Sequence, residues 1–112
     1  MELQNKRVRF YIRATSYTNQ HRQYSDLSLF AQRHMLEFEG NIFFDKCDSN
    51  FPRTELNKAL QEAKEFDVLV VLNNSVLHID SLFAELYENV FNDKGVKILK
   101  LSEEQKKLEA SI

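Results

Sequence analysis

Hydrophobic positions along the chain fall into short runs that alternate with helical spacings. Val8, Phe10 and Ile12 alternate with Arg7, Arg9 and Tyr11, the period-two signature of a first strand. Residues 13–26 follow as a polar stretch rich in Ser, Thr, Asn and Gln, which reads as a long internal loop. Loops of that length are more often functional than idle. Leu29, Ala31, Met35, Leu36 and Phe38 then predict a helix over residues 28–39, closed by Gly40 as a left-handed cap. Ile42, Phe43 and Phe44 form a second short strand. Pro52 suits the first turn of a second helix with Leu56, Ala59, Leu60 and Ala63 on its inner face. The unbroken run Val68-Leu69-Val70-Val71-Leu72 reads as a strand buried on both faces.

Asp80 or Ser81 caps a third helix, whose inner positions are Leu82, Phe83, Leu86, Tyr87, Val90 and Phe91. Asp93-Lys94-Gly95 stops it, and residues 96–101 make a fourth strand. Ser102-Glu103-Glu104-Gln105 is a capping box that opens one more helix. Strands joined through helices run parallel with right-handed crossovers, so the order predicts an α/β fold. The expected architecture is a three-layer open sheet, with a mostly parallel four-stranded core and helices on both faces. Residues 1–101 form that domain, and 102–112 start a C-terminal helix.

Composition supports this picture and narrows the partners. A chain of 112 residues makes one domain, and 43% hydrophobic content with nine Phe and four Tyr supplies its core. No apolar run approaches the roughly 20 residues of a membrane span. The amino terminus has no apolar stretch behind its charges, so no secretory signal is read there. The lone Cys47 excludes an internal disulfide and any multi-cysteine zinc site. The expectation is a cytoplasmic domain with no membrane partner. Net charge is −2, but residues 1–36 carry +4 and the remainder −6. A basic first third attracts anions or a nucleic-acid backbone.

In open α/β sheets, ligands bind beyond the carboxyl ends of the strands. That edge collects the 13–26 stretch, residues 45–53 and residues 73–79. With glycine at 40 and 95 only, neither a G-x-G-x-x-G nor a G-x-x-x-x-G-K-[ST] phosphate loop is possible, so no cofactor is expected. His21, His34 and His78 lack metal-ligand spacing, and no metal is expected. Cys47 has no obvious base and reads as a packed thiol. Tyr11-Ile12-Arg13-Ala14-Thr15-Ser16, at the end of the first strand, does carry chemistry. Arginine offers a planar fork for phosphate oxygens and a hydroxyl offers a nucleophile.

From about Arg7 to Leu101 the chain resembles the catalytic domain of the serine recombinases, the resolvase and invertase family. The family's Y-x-R-x-S is matched by Tyr11, Arg13 and, in the serine position, Thr15. Its S-L-x-x-Q at the start of the first helix is matched by Ser28-Leu29-Phe30-Ala31-Gln32. A strand ending in Asp is matched by Asp45, an R-x-x-L helix opening by Arg53 and Leu56, and F-D-V-L-V-V by residues 66–71. The resemblance implies attack of a hydroxyl on a DNA phosphodiester, with a covalent phosphoserine-type link. It implies Thr15, or its neighbour Ser16, as nucleophile and Arg13 and Arg53 as the phosphate clamp. Tyr11 and Asp45 complete the phosphate site. DNA is the implied partner, with a homodimer or an assembly with a related recombinase.

One segment departs from the pattern. Where the family has D-R-L-x-R, this chain has Ser75-Val76-Leu77-His78-Ile79, so two arginines become Val76 and Ile79. Losing one charge-stabilising group costs about 3–4 kcal/mol of transition-state stabilisation, and losing two costs on the order of 10⁴–10⁶ in rate. The β-methyl of Thr15 further restricts its hydroxyl. Ser16 has a primary hydroxyl but points the other way on an extended segment. The chain thus reads as a domain impaired or inactive in strand cleavage, either a regulatory partner or a mobile-element remnant. The alternative is a non-enzymatic α/β binding or regulatory domain that shares only the fold.

Overall fold

In the computed structural model, which describes residues 3, 5–14, 16–46, 54–78 and 80–103, four strands form one sheet. They are β1 (Val8–Ala14), β2 (Ile42–Lys46), β3 (Val68–Val71) and β4 (Lys97–Lys100), in the order β2-β1-β3-β4 and all parallel. The predicted α/β sheet is therefore the fold observed. Helices α1 (Tyr17–Arg33), α2 (Thr54–Gln61), the single turn α3 (Asn74–Leu77) and α4 (Ser81–Asp93) connect them. Leu101 opens a further helical turn through residue 103.

Side chains alternate between the two sheet faces, and their contacts show which helix covers which. Phe10 meets Phe38, on the connection after α1, with ring centroids 5.0 Å apart. Its neighbour Arg9 faces the other side, where its guanidinium lies 5.4 Å from the Phe66 ring and 3.7 Å from Glu62. Lys100, in register with Val71, reaches Glu88 of α4 at 2.9 Å on that same side. All four residues of β3 are buried, as an unbroken β-branched and leucine run requires. The chain leaves β1 toward β2 and leaves β3 in the opposite direction toward β4. A topological switch point therefore lies between the carboxyl ends of β1 and β3.

At the opposite edge Asp67 fastens the amino end of β3 to β1. Its carboxylate accepts from the Arg7 backbone N–H at 2.9 Å and from Arg7 Nε and Nη2 at 3.2 Å each. Those hydrogen bonds hold the Asp67 carboxyl below the usual carboxylate range and raise the Arg7 guanidinium. The stability they add is present at neutral pH and is lost as pH falls through the lowered value.

Four expectations change. The polar stretch 13–26 is mostly the front half of α1, which starts at Tyr17 and ends at Arg33. Its inward positions are Gln23, Leu27, Phe30 and Ala31, so a polar residue occupies the first buried position and hides the helical period. Gly40 does not cap that helix. Met35 does, at φ 55°, with its N–H on the Gln32 carbonyl at 3.2 Å and the Leu36 N–H on the Ala31 carbonyl at 2.8 Å. Finally, α4 starts at the expected Asp80 cap but buries Ala84 and Phe91, while Leu82, Phe83, Leu86 and Val90 stay exposed. β4 is also shorter than residues 96–101, with Val96 and Leu101 buried just beyond its ends. The Pro52 helix start lies outside the described residues.

Met35 is 85% exposed in a left-handed conformation that costs a side-chain residue about 1–2 kcal/mol. Glycine removes that strain and loses no packing, though its unfolded chain is more entropic. Met35→Gly is expected to raise stability by about 0.5–1 kcal/mol in urea melts.

Candidate functional site

Tyr11 and Arg13 lie two residues apart on β1, and Arg13 is in register with Asp45 on β2. The three side chains therefore share one sheet face near the carboxyl edge. Asp45 is buried at 6% exposure and accepts three hydrogen bonds. They come from the Tyr11 hydroxyl at 2.7 Å, the Glu55 N–H at 2.9 Å and the Leu56 N–H at 3.1 Å. The last two belong to the first turn of α2, whose orphan amides and positive dipole end favour a carboxylate. Leu56 itself is fully buried, which locks that turn onto the core. Asp45 thus joins β1, β2 and α2. Arg53 immediately precedes that turn in sequence but lies outside the described residues.

Arg13 is half-buried and its backbone is held by a residue that sequence reasoning passed over. Gln23 is 1% exposed; its Nε2 donates to the Arg13 carbonyl at 2.7 Å, and its Oε1 accepts from the Arg13 N–H at 3.4 Å. β3 pairs with β1 only as far as Phe10 with Val70, so the glutamine amide acts as the missing ladder partner. Gln23 Nε2 also donates to Asn19 Oδ1 at 3.2 Å, tying the end of β1 to the first turns of α1. A lone polar residue at an inward helical position, four before Leu27, is the signal that could have found it.

Ser16 is exposed and is the N-cap of α1, its Oγ accepting the Asn19 N–H at 3.2 Å. Thr15 lies outside the described residues. Ser28-Leu29-Phe30-Ala31-Gln32 does not open the first helix. It lies in the last turns of α1, with Leu29 46% exposed and Gln32 exposed.

Across the switch point, Asn73 caps α3, accepting the Ser75 N–H at 3.0 Å and the Ser75 hydroxyl. Val76 and Leu77 are buried in the core; Ile79 lies outside the described residues. His78 accepts the Asp80 N–H on Nδ1 at 3.0 Å and its ring meets Phe83 at 4.9 Å. Two further cations end strands at this edge. Lys46 is in register with Ala14 and so faces away from Arg13, and Lys100 is bound to Glu88. Among the described residues, Arg13 is the arginine at the carboxyl end of β1 on the face of Tyr11 and Asp45. Arg9, on that face toward the amino end, pairs with Glu62 and Glu65.

The fold matches known structures. The N-terminal catalytic domain of TP901-1 integrase superposes with a TM-score of 0.73 at 18% identity, over 88% of this chain and 78% of that one. The fold is that of a serine recombinase catalytic domain. The catalytic domain of ISC1926 TnpA, an IS607-like serine recombinase, gives 0.71 at 23% identity over 85% of this chain and 70% of that one. A resolvase family site-specific recombinase from Streptococcus pneumoniae gives 0.71 at 17%, over 86% and 72%. No protein-family profile matches the sequence, and no curated protein matches it significantly. Among the described residues, no helix of this recombinase-like fold is long and apolar enough to cross a membrane.

Replacing Gln23 leaves backbone polar groups at the end of β1 without their partner, which costs about 1–3 kcal/mol. Gln23→Ala is expected to lose that much stability in urea melts and to speed amide exchange at Arg13. Unchanged exchange there would show that the glutamine does not hold the strand end.

Proposed function

We propose that this chain is a serine-recombinase-type domain that binds a DNA phosphate and is impaired in strand cleavage. Arg13 and Arg53 form the clamp in this reading, with Thr15, or Ser16, in the nucleophile position. Tyr11 and Asp45 hold the clamp's framework, because a carboxylate already accepting three hydrogen bonds orients its neighbours and repels a phosphate. The observation that carries the proposal is the shared face of Tyr11, Arg13 and Asp45 beside the switch point. Impairment is supported by Val76, an aliphatic side chain packed in the core where the recombinase pattern has an arginine. The exposed stripe of Leu82, Phe83, Leu86 and Val90 supports self-association or pairing with a related recombinase.

Two phosphate contacts predict weak binding with a log–log salt slope near −2, since each contributes about −0.9 on duplex DNA. Incubation with a nicked, suicide-type DNA substrate tests the chemistry on a denaturing gel. Salt-sensitive binding without a covalent adduct is expected. An adduct that disappears in Thr15→Ala or Ser16→Ala overturns the impaired reading and names the nucleophile.

A further inference from the structure

Tyr17 begins α1 directly after the Ser16 cap, and it is 80% exposed. Four residues on, the exposed His21 presents its ring 6.3 Å from the tyrosine ring and only 14° from parallel. A pair of this kind adds a few tenths of a kcal/mol to a helix, far less than an aromatic ring gains from burial. The unspent ring surface lies just past the carboxyl end of β1, four residues from Arg13 along the chain. Its surroundings suit a polyanion. The first turn of α1 has no acidic residue, and Arg22, beside His21 in sequence and 4.0 Å from the Asp26 carboxylate, has a side chain 75% exposed. The stripe on α4 is different in kind, being mostly aliphatic and lacking cations of its own.

We propose that Tyr17 and His21 form a stacking platform for an unpaired base of the DNA strand whose phosphate Arg13 holds. The inference rests on the phosphate-binding reading above and names what lies next to the phosphate. Aromatic side chains recognise the flat faces of bases without reading sequence. Those faces are covered in an intact duplex and open only where a base is unpaired or unstacked. The platform therefore confers a preference for gapped or melted DNA over intact duplex, added to the charge term.

The test uses the full chain and two DNA probes of one sequence, an intact duplex and a duplex with a short gap exposing a 2-aminopurine. Wild type is expected to bind the gapped probe more tightly and to quench its fluorescence by stacking. Tyr17→Ala should weaken gapped-probe binding about tenfold and abolish the quenching, with the salt slope and intact-duplex binding unchanged. Tyr17→Phe should retain both. Because Tyr17 is on the surface, neither substitution threatens folding. Equal binding of the gapped probe by wild type and Tyr17→Ala, while Arg13→Ala still weakens it, overturns the platform alone. Failure of wild type to bind either probe overturns the phosphate reading and the platform with it.

Discussion

A buried carboxylate organises this molecule. Asp45 sits at 6% exposure, at the end of the edge strand β2, and takes hydrogen bonds from β1 and from the first turn of α2. Each such bond to a charged acceptor is worth about 1.5–3 kcal/mol, and leaving that charge buried without them costs more than their sum suggests. One side chain thus ties the described start of α2 to the sheet. The Tyr11 ring, fully buried, fixes the same carboxylate from the side of β1.

This constraint separates scaffold from chemistry. Asp45, Tyr11 and Gln23 spend their polar atoms on holding β1, β2, α1 and α2 in place. Arg13 is carried on that frame, with its backbone clamped and its side chain on the face shared with Asp45. Charge-stabilised phosphate chemistry needs several cations that converge, fixed in advance of the reaction. In this chain the segment after β3 packs an aliphatic residue, Val76, into the core. Packing and catalysis draw on different residues, so a fold does not by itself fix the chemistry it carries.

The strands were legible because β1 alternates and β3 is an unbroken apolar run. Their parallel direction was legible because helices join them, whereas their order in the sheet was not. The α4 cap was legible too, since Asp80 has a side chain of the right length to accept the Leu82 N–H. The front of α1 was not, because Gln23 occupies an inward position that apolar periodicity expects to be hydrophobic. The exposed stripe on α4 was misplaced for a related reason. Period 3.6 finds an apolar face but does not say whether that face meets the core. For the site, Tyr11, Arg13 and Asp45 were brought together by strand register, which local pattern does not contain. The donors to Asp45 are Tyr11, 34 residues before it, and the adjacent Glu55 and Leu56, a meeting that local pattern does not contain either.

The central claim is that the Tyr11–Asp45 contact couples β1 to β2 and α2. A double-mutant cycle with Tyr11→Phe and Asp45→Ala, read by urea denaturation, measures that coupling directly. Residues sharing one hydrogen-bond network show interaction energies of about 0.5–3 kcal/mol. The double variant is therefore expected to be more stable than the two single losses predict, by at least about 1 kcal/mol. Additivity within roughly 0.3 kcal/mol would contradict it, and would mean that Asp45 caps α2 without regard to Tyr11.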